Sequence, residues 1–208
     1  GIESLCANTT GTQNVAIGRA ALSLNTTASN NTAVGDEALK VNTASNNVAV
    51  GSYALKNNTT GGVNVGIGLC ALCSNTTASN NVGVGGFSLC TNTTGTGNTA
   101  TGINSLRFNT TANDNTAFGQ NALCANTTGC KNTSTGSLSM LVNTEGCQNA
   151  AFGFQAMKCN TTGDNNTAIG QNALLGNTTA NSNTAVGKSA LQNNTTGANN
   201  TAVGLSAM

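Results

Sequence analysis

Polar and apolar positions along this chain recur in one short cycle. An Asn is followed by Thr or Val, a small residue, a β-branched or aromatic residue and a Gly; Ala-Leu or a close variant comes three residues later, and Asn-Thr-Thr leads to the next Asn. Taking that opening Asn as position 1, units begin at Asn14, Asn31, Asn47, Asn64, Asn81, Asn98, Asn115, Asn132, Asn149, Asn166, Asn183 and Asn200. The period is 17, with one 16-residue unit (31 to 46) that lacks a Thr in its turn. Gly1 falls at position 5 of a partial unit and Met208 at position 9 of another. Neither end carries a capping sequence, so the expectation is a single repeat domain, 1–208, belonging to a longer chain and cut mid-repeat at both ends.

Each unit predicts its own small elements. Positions 1 to 5 alternate and often carry β-branched residues at 2 and 4, as in Val15/Ile17 and Thr167/Ile169, which reads as a short strand closed by Gly. Positions 8 and 9, for example Ala21-Leu22 and Ala156-Met157, read as a second short strand. The Asn-Thr-Thr stretch is a turn, because Asn and Thr side chains bond their own backbone and Gly reaches left-handed conformations. Together these predict an all-β fold: a parallel β-solenoid, or β-roll, of about twelve 17-residue coils stacked about 4.8 Å apart into a rod of about 55 to 60 Å. Stacking turns each repeat position into a column. Gly18, Gly35, Gly68, Gly119 and Gly170 at position 5 call for a positive φ or a contact with no room for Cβ. Asn14, Asn31, Asn64, Asn98, Asn115 and Asn166 at position 1 predict an amide ladder, with a second at position 12. Leu22, Leu72, Leu123 and Leu174 at position 9 form an aliphatic column.

The only other recurrent sizeable aliphatic is at position 4, and the expectation is that both are buried. Two such residues per coil fall short of the entropy lost in ordering 17 residues, which favours a core shared between chains, a parallel homotrimer. The strings Asn14-Val15-Ala16-Ile17-Gly18, Asn64-Val65-Gly66-Ile67-Gly68 and Asn166-Thr167-Ala168-Ile169-Gly170 resemble the head repeats of trimeric autotransporter adhesins. The fuller N-T-A-V-G-x-x-A-L-x-x-N-T-T-G form is similar to repeats of phage and large-virus tail-fibre proteins, which often end in a self-cleaving chaperone domain. This resemblance implies a left-handed trimeric β-roll on a virion or cell surface, serving adhesion or host attachment. The adhesin repeat is a few residues shorter and lacks the Asn-Thr-Thr turn, so its binding properties are not carried over.

Composition narrows the function classes. There are 36 Asn, 34 Thr and 26 Gly, no His, and a net charge of +1 from 7 basic and 6 acidic side chains. So few cations cannot build a nucleic-acid or membrane-surface patch, and no apolar run is long enough to span a bilayer. Without His the commonest general base and metal ligand is missing. The chain is therefore expected to be no enzyme, to need no cofactor or metal, and to have itself as its main partner, with a cell-surface glycan or receptor as a further one.

Three sets of residues remain as candidate chemistry. Cys73 and Cys90 share position 10 of adjacent units, and Cys130 and Cys147 share position 16; the rung spacing suits a disulfide, so bonds 73–90 and 130–147 are expected, in an oxidising exterior. Cys70-x-x-Cys73 lacks the second pair or His that would complete a four-ligand site. Sequons at Asn8, Asn25, Asn75, Asn126, Asn160 and Asn177 offer glycan acceptors, against the plainer reading that these Asn stabilise turns. The Thr at positions 13 and 14 suggests a rival function, ice binding, although adjacent residues put only one of the two columns on a given plane.

Overall fold

The structure, a computed structural model, describes all 208 residues. Each unit contributes one three-residue strand from its positions 2 to 4: β1 (Val15–Ile17), β2 (Thr32–Val34), β3 (Val48–Val50), β4 (Val65–Ile67), β5 (Val82–Val84) and β6 (Thr99–Thr101). The series continues through β7 (Thr116–Phe118), β8 (Thr133–Thr135), β9 (Ala150–Phe152), β10 (Thr167–Ile169), β11 (Thr184–Val186) and β12 (Thr201–Val203). They form one 12-stranded parallel sheet in sequence order. Pairing is position to position throughout, Ala16 opposite Ala33 and Ala117 opposite Ser134. The chain is thus an all-β parallel β-solenoid of about eleven full turns, with no helix.

The second strand is not formed. Positions 7 and 9 adopt left-handed backbone in coil after coil, Glu37 with φ 55°, Leu22 with 51° and Met157 with 51°. Such a conformation costs an aliphatic residue about 1 kcal/mol or more. It is held because a left-handed residue still sends its N–H along the rod. Glu37 N–H donates to Arg19 of the coil before (2.9 Å), and Leu22 N–H to Ala38 of the coil after (3.1 Å). The turns therefore carry a ladder of their own, and only 22 of the 136 backbone hydrogen bonds lie inside strands.

Position 5 shows why it is Gly. Gly68 has φ 129°, and a Cβ there would stand 2.7 Å from the carbonyl carbon and oxygen of Gly85. Both requirements that the sequence raised act together. The core is a thin seam from positions 3, 8 and 9, its apolar members all Ala, Leu or Met, with buried Ser88, Ser105, Ser134 and Ser139 standing in place of Ala on some rungs. It is narrow enough that a Cβ on Gly66 would sit 3.2 Å from Leu55 Cγ.

Position 4 is not in that seam. A strand turns alternate residues to opposite faces. Small residues at position 3 point inward, so positions 2 and 4 point out, and Ile17, Phe118, Phe152 and Ile169 are exposed. The expectation of two buried aliphatics per coil reduces to one, the Leu or Met of position 9.

Two buried amide ladders flank the turn. At position 1, each Asn side-chain oxygen accepts the backbone N–H of the next coil's Asn, Asn64 receiving Asn81 at 3.0 Å and Asn98 receiving Asn115 at 3.0 Å. At position 12, amide donates to amide, Asn75 to Asn58 (2.8 Å) and Asn126 to Asn109 (3.0 Å). The 16-residue unit keeps strand register and takes its deletion in the turn. There Asn42 Nδ2 is drawn to the Ala44 carbonyl, and Asn25 Oδ1 and Asn31 Nδ2 are left buried without partners.

Candidate functional site

The outward face of the sheet has a consistent character along the rod. Position 4 is apolar on ten of its twelve rungs, and Ile17, Phe118, Phe152 and Ile169 are 60%, 43%, 41% and 43% exposed. Position 6 widens this column with exposed Leu69, Ile103 and Phe154. Scattered exposed aliphatics are ordinary, whereas here they line up rung after rung in a stripe along the rod. Its middle is uneven: Thr101, Phe118, Thr135 and Phe152 are successive neighbours in the sheet, so large and small side chains alternate.

The ion pairs gather near the start of the rod. Arg19 pairs with Asp36 (2.8 Å) across one rung, and Glu37 accepts from Lys56 (2.8 Å), Lys40 (3.2 Å) and Arg19 (3.3 Å). The two lysine hydrogen bonds hold the Glu37 carboxyl down to about pKa 2, against the opposing pull of burial. Stacked unlike charges attract where stacked like ones would repel.

The cysteines depart from expectation. Cys73 is bonded to Cys70 on its own coil, with Cα atoms 4.9 Å apart, rather than to Cys90. Cys90 Sγ stands 3.5 Å from Cys73 Sγ and 3.8 Å from Cys70 Sγ. The left-handed φ of 53° at Cys70 turns its side chain toward this point. Repeat position alone paired Cys73 with Cys90 and gave no reason to include position 7. Cys130 and Cys147 lie side by side with sulfurs 3.0 Å apart, both as thiols. Burial pushes the Cys90 and Cys124 thiols up, and the Arg107 guanidinium partly offsets it.

The Asn-Thr-Thr edge is committed to the fold. Asn25, Asn75, Asn126, Asn160 and Asn177 are fully buried. Each Nδ2 spends one hydrogen on the preceding Asn and the other on a carbonyl three residues on, as Asn75 does with Ala78 (2.9 Å). A glycan at any of these nitrogens would replace a ladder bond and have no way out of the coil. Asn8, half-buried, also donates to Gly11 (2.9 Å). Position-13 Thr hydroxyls are spent too, Thr9 on the Thr26 carbonyl (3.0 Å) and Thr59 on Thr76 (2.9 Å). Position 14, with Thr27, Thr77 and Thr128, is the exposed column.

No family model, curated protein or solved structure matches the chain. No helix is long and apolar enough to cross a membrane. The one cavity is a hollow at the last coil, lined by Leu191, Asn193, Asn194 and Met208.

Proposed function

We propose that this chain is a structural module, shaft or head, of a homotrimeric fibre on a virion or cell surface, where it holds or contributes to an adhesive tip. The outward apolar column of position 4 carries the reading. Sheet rungs repeat about every 4.8 Å, and a surface patterned at that spacing is matched rung for rung by another copy of itself. Three parallel copies around an axis bring three Phe118 to one level and three Phe152 two rungs further on, with Thr135 between them. This arrangement supplies the apolar burial that the thin inner seam lacks. Left-handed winding and an extracellular setting belong to the same proposal, through the resemblance to adhesin and tail-fibre repeats. Sedimentation equilibrium of the folded chain is expected to give three copies per particle; a monodisperse monomer overturns the proposal.

Direct adhesion is the second reading, through the exposed position-14 hydroxyls and neighbouring side chains. Binding of this chain alone to a glycan array separates it from a purely structural role. Ice binding fits less well, because position-13 hydroxyls are donated to the next coil and one Thr column is left facing outward. Clear thermal hysteresis in solution would reverse that ranking.

A further inference from the structure

Three cysteines from two adjacent coils meet on the turn side of the rod, outside the sheet face. Cys70 and Cys73 occupy positions 7 and 10 of the coil containing β4, and Cys90 occupies position 10 of the coil containing β5. Their sulfurs all lie within 4.8 Å of one another. The framework beneath is tied into the neighbouring coils. Leu72 and Leu89 are fully buried beside Cys73 and Cys90, Cys70 N–H donates to Ser52 (2.9 Å), and Ser74 N–H donates to Cys90 (3.1 Å).

We propose that, once the Cys70–Cys73 bond is reduced, Cys70, Cys73 and Cys90 form a three-thiolate site for a thiophilic divalent cation of the zinc and cadmium type. Zinc–sulfur bonds of about 2.3 Å place tetrahedral sulfurs about 3.8 Å apart. Cys90 already stands at 3.5 and 3.8 Å from its two partners, so only Cys70 and Cys73 have to separate. Thiolates select soft ions over calcium or magnesium, and no carboxylate shares the cluster. All three cysteines are half-buried, which leaves the fourth position to solvent. Three thiolates and a divalent ion carry one net negative charge. Arg107 occupies position 10 on the rung after Cys90 in the same column, and its guanidinium offsets part of that charge. Opening the site delivers two electrons and two protons to the Cys70 and Cys73 sulfurs, from a phosphine that takes up the oxygen of water and becomes its oxide. The incoming ion then displaces the three thiol protons. The site depends on the coil geometry alone and stands or falls separately from trimer formation.

The test is a titration of phosphine-reduced, desalted protein with Cd²⁺ alone. It follows thiolate-to-cadmium charge-transfer absorption and maps alkylated cysteines by mass spectrometry. The expected result is a first ion per chain that shields Cys70, Cys73 and Cys90 from alkylation. Cys90→Ser is expected to weaken that ion's binding by more than about 100-fold, beyond the cost of losing an outer-shell partner. The double variant Cys130→Ser, Cys147→Ser is expected to leave it unchanged. Absence of binding, protection confined to Cys130 and Cys147, or Cys90→Ser binding as tightly as the parent chain overturns the proposal. Should Cys90→Ser misfold, the alkylation map of the parent chain decides alone.

Discussion

At Gly119 the backbone holds φ at 129° and leaves a Cβ 2.7 Å from the carbonyl carbon of Gly136. Gly119→Ala therefore meets conformational strain and a backbone clash together, and neither neighbour is a flexible side chain that can yield. The expected cost is at least about 3 kcal/mol, read from denaturant unfolding. Glu37 gives a prediction of a different kind. Its folded pKa of about 2 lies below the ordinary 4.5, so its ion pairs contribute fully above about pH 4.5 and fade as pH falls towards 2. Thermal melts across that interval are expected to show an acid-side decline that Glu37→Gln flattens. The Cys130 and Cys147 thiols, 3.0 Å apart, are expected to join under mild oxidation, seen as a disulfide-linked peptide pair in unreduced digests.

The coil is the next scale up, and the 16-residue unit shows what one residue of turn is worth. Without a second Thr after Thr43, Asn42 Nδ2 bonds the Ala44 carbonyl instead of Asn25, although its Oδ1 still accepts from Asn58, and Asn25 Oδ1 and Asn31 Nδ2 are orphaned in the interior. Inserting Thr between Thr43 and Ala44 recreates the sequence that runs from Asn25 to Asn30. Restoring partners to two buried groups is expected to raise stability by about 2 kcal/mol or more, measured as a shift in the denaturation midpoint. The position-5 glycines and the Asn columns were legible in the sequence, because a requirement repeated on every rung survives the variation around it. Two features were not. Ala33 and Val34 alternate equally well with either one inside, and hydrophobicity favours Val, yet the seam between strand and Leu39 has width for a methyl group only. Leu22 and its equivalents looked like strand residues because a left-handed leucine is rare, and stacked coils reward it with a ladder bond that no local signal announces. The cysteine cluster was half legible: the C-x-x-C spacing set Cys70 beside Cys73 and shared position 10 set Cys73 beside Cys90, while the meeting of all three depends on the left-handed turn at position 7.

For the whole molecule, the proposed trimer adds apolar burial on the sheet face to that of the thin inner seam. Phe118→Lys combined with Ile169→Lys places six charges on the proposed threefold axis and is expected to give monomers with a lowered melting temperature. Leu24→Lys, an equally exposed site at position 11 and away from the sheet, is expected to leave association unchanged. Sedimentation velocity with far-ultraviolet circular dichroism distinguishes loss of assembly from loss of fold. Every inter-coil hydrogen bond runs along the rod rather than across it, from one turn of chain to the next. A pull between the two ends of a single chain therefore loads those bonds one coil at a time. Each release pays out about 17 residues of chain, on the order of 50 Å, in place of one rung. Such a filament lengthens in equal quanta under tension before it parts, and the shortened coil, with its broken amide ladder, is where the first quantum is expected to appear in a force trace.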